Sequence, residues 1–346
     1  MSDGIAEKIV ERAKALGYER CGIVRVDALK GYGEAVKRRM ERFPEMKSPM
    51  SFLLSFADPS EKFPWARSVV ICSRSYWDYR VPSNLGGIIG KAYLFDDRRD
   101  ELSYGYRDRA LLEKYMSEEL GLTTTKSDAP PPVPYRWAAA VAGIGTIRRN
   151  NFFYGDRGSY YGLTAFLIDL DLEYIHASEA DPCPENCDLC VKNCPTHSLA
   201  EPFAMNSRIC VSYLTTLDLS DGVYEEHGEE IGGWAYGCDV CQDVCPRNRG
   251  RMSGERDFPG LEELSGELSI EGIVSMDGEK LKNLVAKKFW YINGKDIWKW
   301  RCNALNVMRN NFDERYIPAI TSACLDEDDR VRGMAQKIRT ETFASS

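Results

Sequence analysis

The sequence predicts an α/β chain in three parts: an α/β (α+β) region over 1–178, a cysteine-rich region over 179–255 and a helical tail over 256–346. Three observations predict it. Helix-period and strand-like apolar patterns alternate up to about residue 175, which is how helices come to cover a sheet. Eight of the twelve cysteines fall in the 63 positions from Cys183 to Cys245. Past Gly260 the apolar residues recur at helical spacing.

The first element is a helix, with Ile5, Ile9, Ala13 and Leu16 on one face and Gly17 placed to end it. Cys21 to Val26 reads as a strand, and Ser68-Val69-Val70-Ile71-Cys72 as a second, buried strand. Arg107 to Leu120 has helical character and is closed by Gly121. Ala129-Pro130-Pro131-Pro132-Val133-Pro134 has to be extended, since proline fixes φ and lacks a donor. A helical piece follows over 137–142, broken by Gly143-Ile144-Gly145, and 163–172 reads as a strand. In the tail, 296–310 and 316–325 read as helices. Asp326-Glu327-Asp328-Asp329 opens a third, in a pattern similar to one HEAT-type repeat or to a plain helical cap.

The chain has 346 residues, 43% hydrophobic and 28% charged, which is ordinary for a globular protein able to bury a sizeable core. No apolar run approaches a membrane span, and the start, Met1-Ser2-Asp3-Gly4, lacks the features of a secretory signal. The expectation is a cytoplasmic monomer with no membrane partner. A net charge of −8 argues against a general nucleic-acid binder but leaves room for local basic patches such as Lys37-Arg38-Arg39, Arg148-Arg149 and Arg247, Arg249 and Arg251. Cys21, Cys72, Cys302 and Cys324 lie among apolar residues and read as buried structural thiols. His176, His197 and His227 show no metal-ligand spacing; His197, near a cluster cysteine, reads first as a surface residue.

The cysteines form two motifs. One is Cys183-x3-Cys187-x2-Cys190-x3-Cys194-Pro195; the other is Cys210 followed by Cys238-x2-Cys241-x3-Cys245-Pro246. Thiolates are soft ligands that suit iron–sulfur clusters or zinc. Close spacing lets one loop set three sulfurs around one cube, while the cysteine before proline ligates the other cluster, as in two-cluster ferredoxins. Two [4Fe-4S] clusters are therefore expected. One takes Cys183, Cys187, Cys190 and Cys245; the other takes Cys194, Cys210, Cys238 and Cys241. Two zinc sites of four cysteines each are the alternative. The first spacing, x3, is one residue longer than in the bacterial ferredoxin run.

Arg208-Ile209-Cys210-Val211-Ser212-Tyr213-Leu214-Thr215 and the run from Tyr236 through Cys245-Pro246-Arg247-Asn248-Arg249 resemble epoxyqueuosine reductases, relatives of the reductive dehalogenases. Upstream, Asp128-Ala129-Pro130, Arg136, Ala142-Gly143-Ile144-Gly145, Asn150 and Gly158-Ser159 resemble that family's central segment. The resemblance implies a cobalamin-dependent oxidoreductase. Its α/β core would hold cobalamin base-off beside Asp128, Ala129, Pro130, Arg136, Ser212 and Tyr213, and its clusters would reduce the cobalt. Asp128 would donate a proton as the epoxide of a tRNA nucleoside becomes an alkene. Burial beside prolines is expected to raise its pKa toward that task. Implied partners are tRNA and a low-potential donor, ferredoxin or flavodoxin.

The pocket positions depart from the family pattern. Tyr135-Arg136 stands for Glu-Arg, and Arg148-Arg149-Asn150 for Gly-Lys-Asn or Gly-Lys-His. The stretch Tyr104 to Arg109 lacks a histidine, and an arginine expected near Phe56-Ala57-Asp58-Pro59 is absent. A paralogue with a different substrate is one reading. Another is a two-cluster electron-transfer protein that serves a partner's corrinoid or flavin.

Overall fold

The computed structural model describes residues 4–129, 133–177, 182–217 and 222–343. Its centre is a three-stranded antiparallel sheet in the order β1 (Arg20–Arg25), β2 (Ser68–Ser75), β5 (Tyr161–Ile168). The register pairs Cys21 with Cys72 and Ile71 with Ala165. The apolar run of β2 is continuous because both faces of the sheet are covered. Val70 and Cys72 join Cys21, Ile23 and Phe166 under α1 (Ile5–Ala15), and Leu112 and Met116 complete that layer. Val69 and Ile71 face the other way, against Ala138, Ala139 and Ala142 of the α5 (Tyr135–Val141) segment. Gly22 makes that approach possible, because a Cβ there would stand 2.8 Å from the Ala142 methyl.

Other elements of the first region frame this sheet. They are α2 (Gly31–Arg42), a short α3 (Lys91–Leu94), α4 (Tyr104–Lys114) and the hairpin β3 (Thr146–Ile147) with β4 (Phe153–Tyr154). Ser103 caps α4, its hydroxyl accepting from the Tyr106 amide at 3.1 Å. α4 starts three residues before the expected helix and gives way to a π-type turn over 115–119. β5 ends at Ile168 rather than 172. The chain turns there, and the Ser68 hydroxyl bonds the Leu170 carbonyl while accepting from the Leu172 amide.

The cysteine-rich region is built of short pieces: α6 (Leu189–Lys192), the hairpin β6 (Leu199–Glu201) with β7 (Ala204–Met205), α7 (Val211–Thr216), α8 (Val223–Glu226) and α9 (Val240–Asp243). The tail is helical as expected, through α10 (Leu261–Glu267), α11 (Ile270–Ser275), α12 (Gly278–Val285), α13 (Ile297–Asn310), α14 (Ile317–Ala323) and α15 (Asp329–Phe343). Its core reaches back along the chain, for Tyr76, Tyr79, Leu85, Ile89, Leu94 and Phe95 pack within it. Tyr236 stacks on Trp300 with rings 4.8 Å apart. The Asn303 amide donates to the carbonyls of Thr215 and Ala235, each at 2.8 Å. Cys21, Cys72, Cys302 and Cys324 are buried. No helix among the described residues is long and apolar enough to cross a membrane.

Candidate iron–sulfur centre and the adjoining recess

Two quartets of sulfur come together, and each mixes the two sequence motifs. Burial first, then the neighbouring sulfurs of Cys183, Cys187 and Cys245, push the Cys190 thiol up to about 11. Cys241 is likewise raised, first by burial, then by Cys210, Cys238 and Cys194. Cys190 is a further neighbour of Cys241, so the quartets adjoin. Ligation needs thiolates, so cluster assembly at such raised thiols releases protons. A small cavity opens among Cys183, Cys187, Cys190 and Cys245, walled by Arg149, Asn150, Tyr154 and Leu189.

Local backbone positions these sulfurs. Burial pushes the Cys210 and Cys238 thiols up, and the nearby amides of Ser212 and Tyr213, at the start of α7, and of Val240 act against that rise. The Leu199 amide reaches Cys194 Sγ at 3.5 Å. Arg149 braces the first loop by donating to the carbonyls of Cys187, at 2.8 Å, and Glu185. Among the described residues no three His, Cys, Asp or Glu side chains converge closely enough to hold one metal ion.

Beside Cys210 the surface becomes a recess. The Tyr93 hydroxyl bonds the Ser212 hydroxyl at 2.6 Å, and Tyr93 lies within electrostatic reach of Cys210. Tyr291 packs edge-on to Tyr93 at 5.5 Å and stacks on Trp290 at 4.1 Å. The Arg98 guanidinium covers both rings. Burial alone lowers the pKa of Arg98, but the Asp96 carboxylate outweighs it, so Arg98 stays charged. Arg136 lies within electrostatic reach of Tyr291, Tyr32 and Arg39. Arg136 keeps contact with solvent, yet restricted hydration at its site, more than the nearby Arg39 charge, lowers its pKa. Its guanidinium also donates to the Asn151 carbonyl.

The expected corrinoid contacts are only partly brought together. Arg136 and Ser212 reach the recess. Tyr213 is buried instead against Val36, Met40, Met46 and Met50. Asp128 and Ala129 are exposed, which corrects the expected burial beside prolines. The turn before them is held by Glu113, which takes Lys126 Nζ and the Ser127 amide, each at 2.8 Å. Pro130 lies outside the described residues. His197 is exposed, at φ 53°. Sequence reasoning missed Arg39, Tyr93, Arg98, Trp290 and Tyr291 as neighbours. Arg39 alone carried a signal, as part of a basic run. A second, open cleft of about 870 Å3 contains none of the expected residues, and its charges pair internally, Arg74 with Asp108 and Arg256 with Asp78.

This fold and centre define the class: an oxidoreductase-type chain carrying a 4Fe-4S domain. Residues 183–248 match the family described as a 4Fe-4S double cluster binding domain. The epoxyqueuosine reductase of Gloeobacter violaceus is 30% identical over 274 residues, covering 73% of this chain and 81% of that protein. The epoxyqueuosine reductase of Cellulophaga algicola is 28% identical over 251 residues, covering 70% and 79%. A crystal structure of epoxyqueuosine reductase with an epoxyqueuosine-modified tRNA-Tyr stem loop has the same fold, with a TM-score of 0.73 and 23% identity over 96% of this chain and 88% of that one. The chain belongs to the epoxyqueuosine reductase family.

Proposed function

We infer that the chain is an iron–sulfur reductase that converts the epoxide of epoxyqueuosine in tRNA to an alkene. The observation that carries this reading is the juxtaposition of the two sulfur quartets with a cationic, aromatic recess that meets them at Cys210, Ser212 and Tyr93. Two [4Fe-4S] clusters, in the crossed pattern expected from the motifs, form a one-electron path toward that recess. The division into regions 1–178, 179–255 and a HEAT-like tail over 256–346 is part of the same reading.

The recess suits cobalamin. Arg39 Nε and Trp290 Nε1 are buried donors without a hydrogen-bond partner, and a corrin is rimmed by amide carbonyl acceptors. Arg39, Arg98, Arg136, Trp290 and Ser212 are the residues that would hold it. Cobalamin bound without its own base supplies a cobalt centre reducible to a strong, low-potential reductant. The chain's residues do the rest. Reducing an epoxide to an alkene takes two electrons and two protons and releases water. The arginines orient the anionic stem loop. Asp128, on the turn that leads into α5 and the recess, gives a proton to the departing oxygen. The reading entails a cytoplasmic monomer reduced by ferredoxin or flavodoxin.

Two measurements test it. Cobalamin added during anaerobic reconstitution should stay with the protein through gel filtration; corrin bands that elute apart overturn the cobalamin assignment and favour a pure electron-transfer chain. Asp128→Asn should keep iron and cobalamin while losing at least about 100-fold in turnover, the usual scale of a positioned acid. Undiminished turnover removes Asp128 from the mechanism. Stem-loop binding should weaken steeply with salt.

A further inference from the structure

The second quartet meets the recess through Cys210, because Ser212, two residues on, bonds the Tyr93 hydroxyl at 2.6 Å. The first quartet, Cys183, Cys187, Cys190 and Cys245, is then the end of the path away from the recess, where electrons would enter. The cavity among its sulfurs is walled by Leu189, Pro246 and Arg149, and those walls continue into the outer surface. Leu189 is 40% exposed. Phe203, whose amide donates to the Arg149 carbonyl at 2.9 Å, is 55% exposed in the turn of the β6–β7 hairpin. Its φ is 66°, a conformation that a bulky side chain adopts only at a cost. Packing gives little in return for that cost, since the residue stays exposed. A strained backbone under exposed apolar side chains points to a contact surface.

One flank of this surface is basic. Pro246 opens a run of tight turns in which the Asn248 amide bonds the Cys245 carbonyl at 2.9 Å and the Arg251 amide bonds the Asn248 carbonyl at 3.0 Å. Buried Asn248 holds the run in place. Its Oδ1 accepts from the Ser159 amide and its Nδ2 donates to the Gln242 carbonyl, each at 2.8 Å. Residues 245–251 hold three arginines and no acid, in a chain of net charge −8. Arg247, Arg249 and Arg251 are exposed, and Arg249 and Arg251 form no ion pair among the described residues. The first loop is mixed in sign, for Asp188 pairs with Lys192 at 3.0 Å. An apolar patch with a charged rim is the anatomy of a protein interface. A nucleic-acid backbone would gain nothing from Leu189 or from a seat over the far cluster. A redox protein needs both.

We propose that the surface formed by Leu189, Phe203, Pro246 and the arginines of 245–251 docks an acidic ferredoxin, which delivers electrons to the cluster held by Cys183, Cys187, Cys190 and Cys245. The proposal rests on the two-cluster reductase reading above and adds to it the donor's docking face. The patch is a few side chains wide, the scale of a weak redox encounter. A ferredoxin brings a one-electron cluster of the same kind to a surface rich in carboxylates. Each encounter oxidises one reduced ferredoxin and adds one electron to the cluster, with no bond made or broken. Two encounters supply the two electrons that reducing the epoxide takes. The basic turn sets how often the partners meet, and the apolar patch sets how well they seat.

The test is stopped-flow mixing of the full-length, anaerobically reconstituted protein with reduced ferredoxin freed of dithionite, read as the second-order rate of cluster bleaching. The double variant Arg249→Glu, Arg251→Glu should react at least about 10-fold more slowly at low salt, with the gap closing as salt rises. Phe203→Gly, which accepts the positive φ without strain, should be slower at every salt concentration. Both variants should keep wild-type iron content, stem-loop affinity and dithionite-driven turnover. A wild-type bleaching rate in either variant overturns the proposal. So does a double variant that loses stem-loop binding while ferredoxin reduces it at full rate, which makes the turn an RNA surface. Should the double variant fail to take up iron, Arg251→Glu decides alone on the same readings. A wild-type protein that ferredoxin bleaches but that leaves the epoxide intact overturns the function proposed above and leaves the docking surface standing, since bleaching needs no substrate.

Discussion

The cysteine-rich region and the recess beside it are built on opposite plans. In the first, one residue type at short spacing supplies the chemistry, and ligands also serve as core: Cys190 and Cys194 form one of its buried clusters with Leu199, with Cys241 and Val244 packed against it. In the recess, Arg39 comes from α2, Tyr93 and Arg98 from the stretch after β2, Arg136 from α5, Ser212 from α7 and Tyr291 from the tail. No two of these contributing stretches are neighbours in sequence. A site made from one loop is specified locally and depends on what it binds. A site made from five stretches is specified by packing and keeps its shape when empty.

The largest effect that can break this contrast is loss of a whole cluster. Cys245→Ser should abolish the same EPR signal as Cys183→Ser and keep the one lost in Cys238→Ser, with about half of the roughly eight irons gone. If Cys245→Ser instead copies Cys238→Ser, the quartets follow sequence order and the crossing is wrong. Stripping iron with a chelator should come next in size. The loops around Cys190 and Cys194, whose buried cluster is largely cysteine, have little apolar surface to hold them once the clusters leave, whereas the sheet keeps Val70, Ile71, Phe166 and Leu167 fully buried. Hydrogen exchange should rise across 182–205 and stay slow in β1, β2 and β5. Equal loosening of both would sink the idea that the ligands serve as the core of one region only.

The same contrast explains what could be read in advance. α1, β1, β2 and the tail helices follow from local periodicity, and the 4Fe-4S domain over 183–248 from cysteine spacing. Arg136 and Ser212 came from resemblance, and both reach the recess. Tyr213 did not follow, because α2 and the turns after it cover its ring, and α2 carried no strong local signal. Asp128 was expected to be buried from its proline neighbours; Glu113, fourteen residues before Ser127, holds its turn at the surface instead. The Asn150–Cys241 and Ser159–Asn248 bonds join residues 91 and 89 positions apart, and no periodicity announces them. Asn151, His197 and Phe203 adopt positive φ near the cysteine loops, a backbone cost that composition does not reveal.

The smallest effect expected concerns how the two plans are joined. Asn303 is fully buried on α13, and its single amide group serves Thr215 at the end of α7 and Ala235 just before the second motif. Tyr236 stacks on Trp300 one turn away. Replacing Asn303 by alanine leaves two buried carbonyls without a donor and opens a small void. Each unsatisfied group costs about 1–3 kcal/mol, and relaxation recovers part of the sum, so a loss of about 2–3 kcal/mol is expected. The sulfurs sit on their own short loops, beside the amides of Ser212, Tyr213 and Val240, which the substitution does not touch. Asn303→Ala should therefore lower the denaturant midpoint while iron content stays at the wild-type value. An unchanged midpoint means that the tail and the cysteine loops do not unfold together. Iron lost in step with stability means that the loops lean on the tail for their geometry, and the locality drawn from the first region fails at this joint.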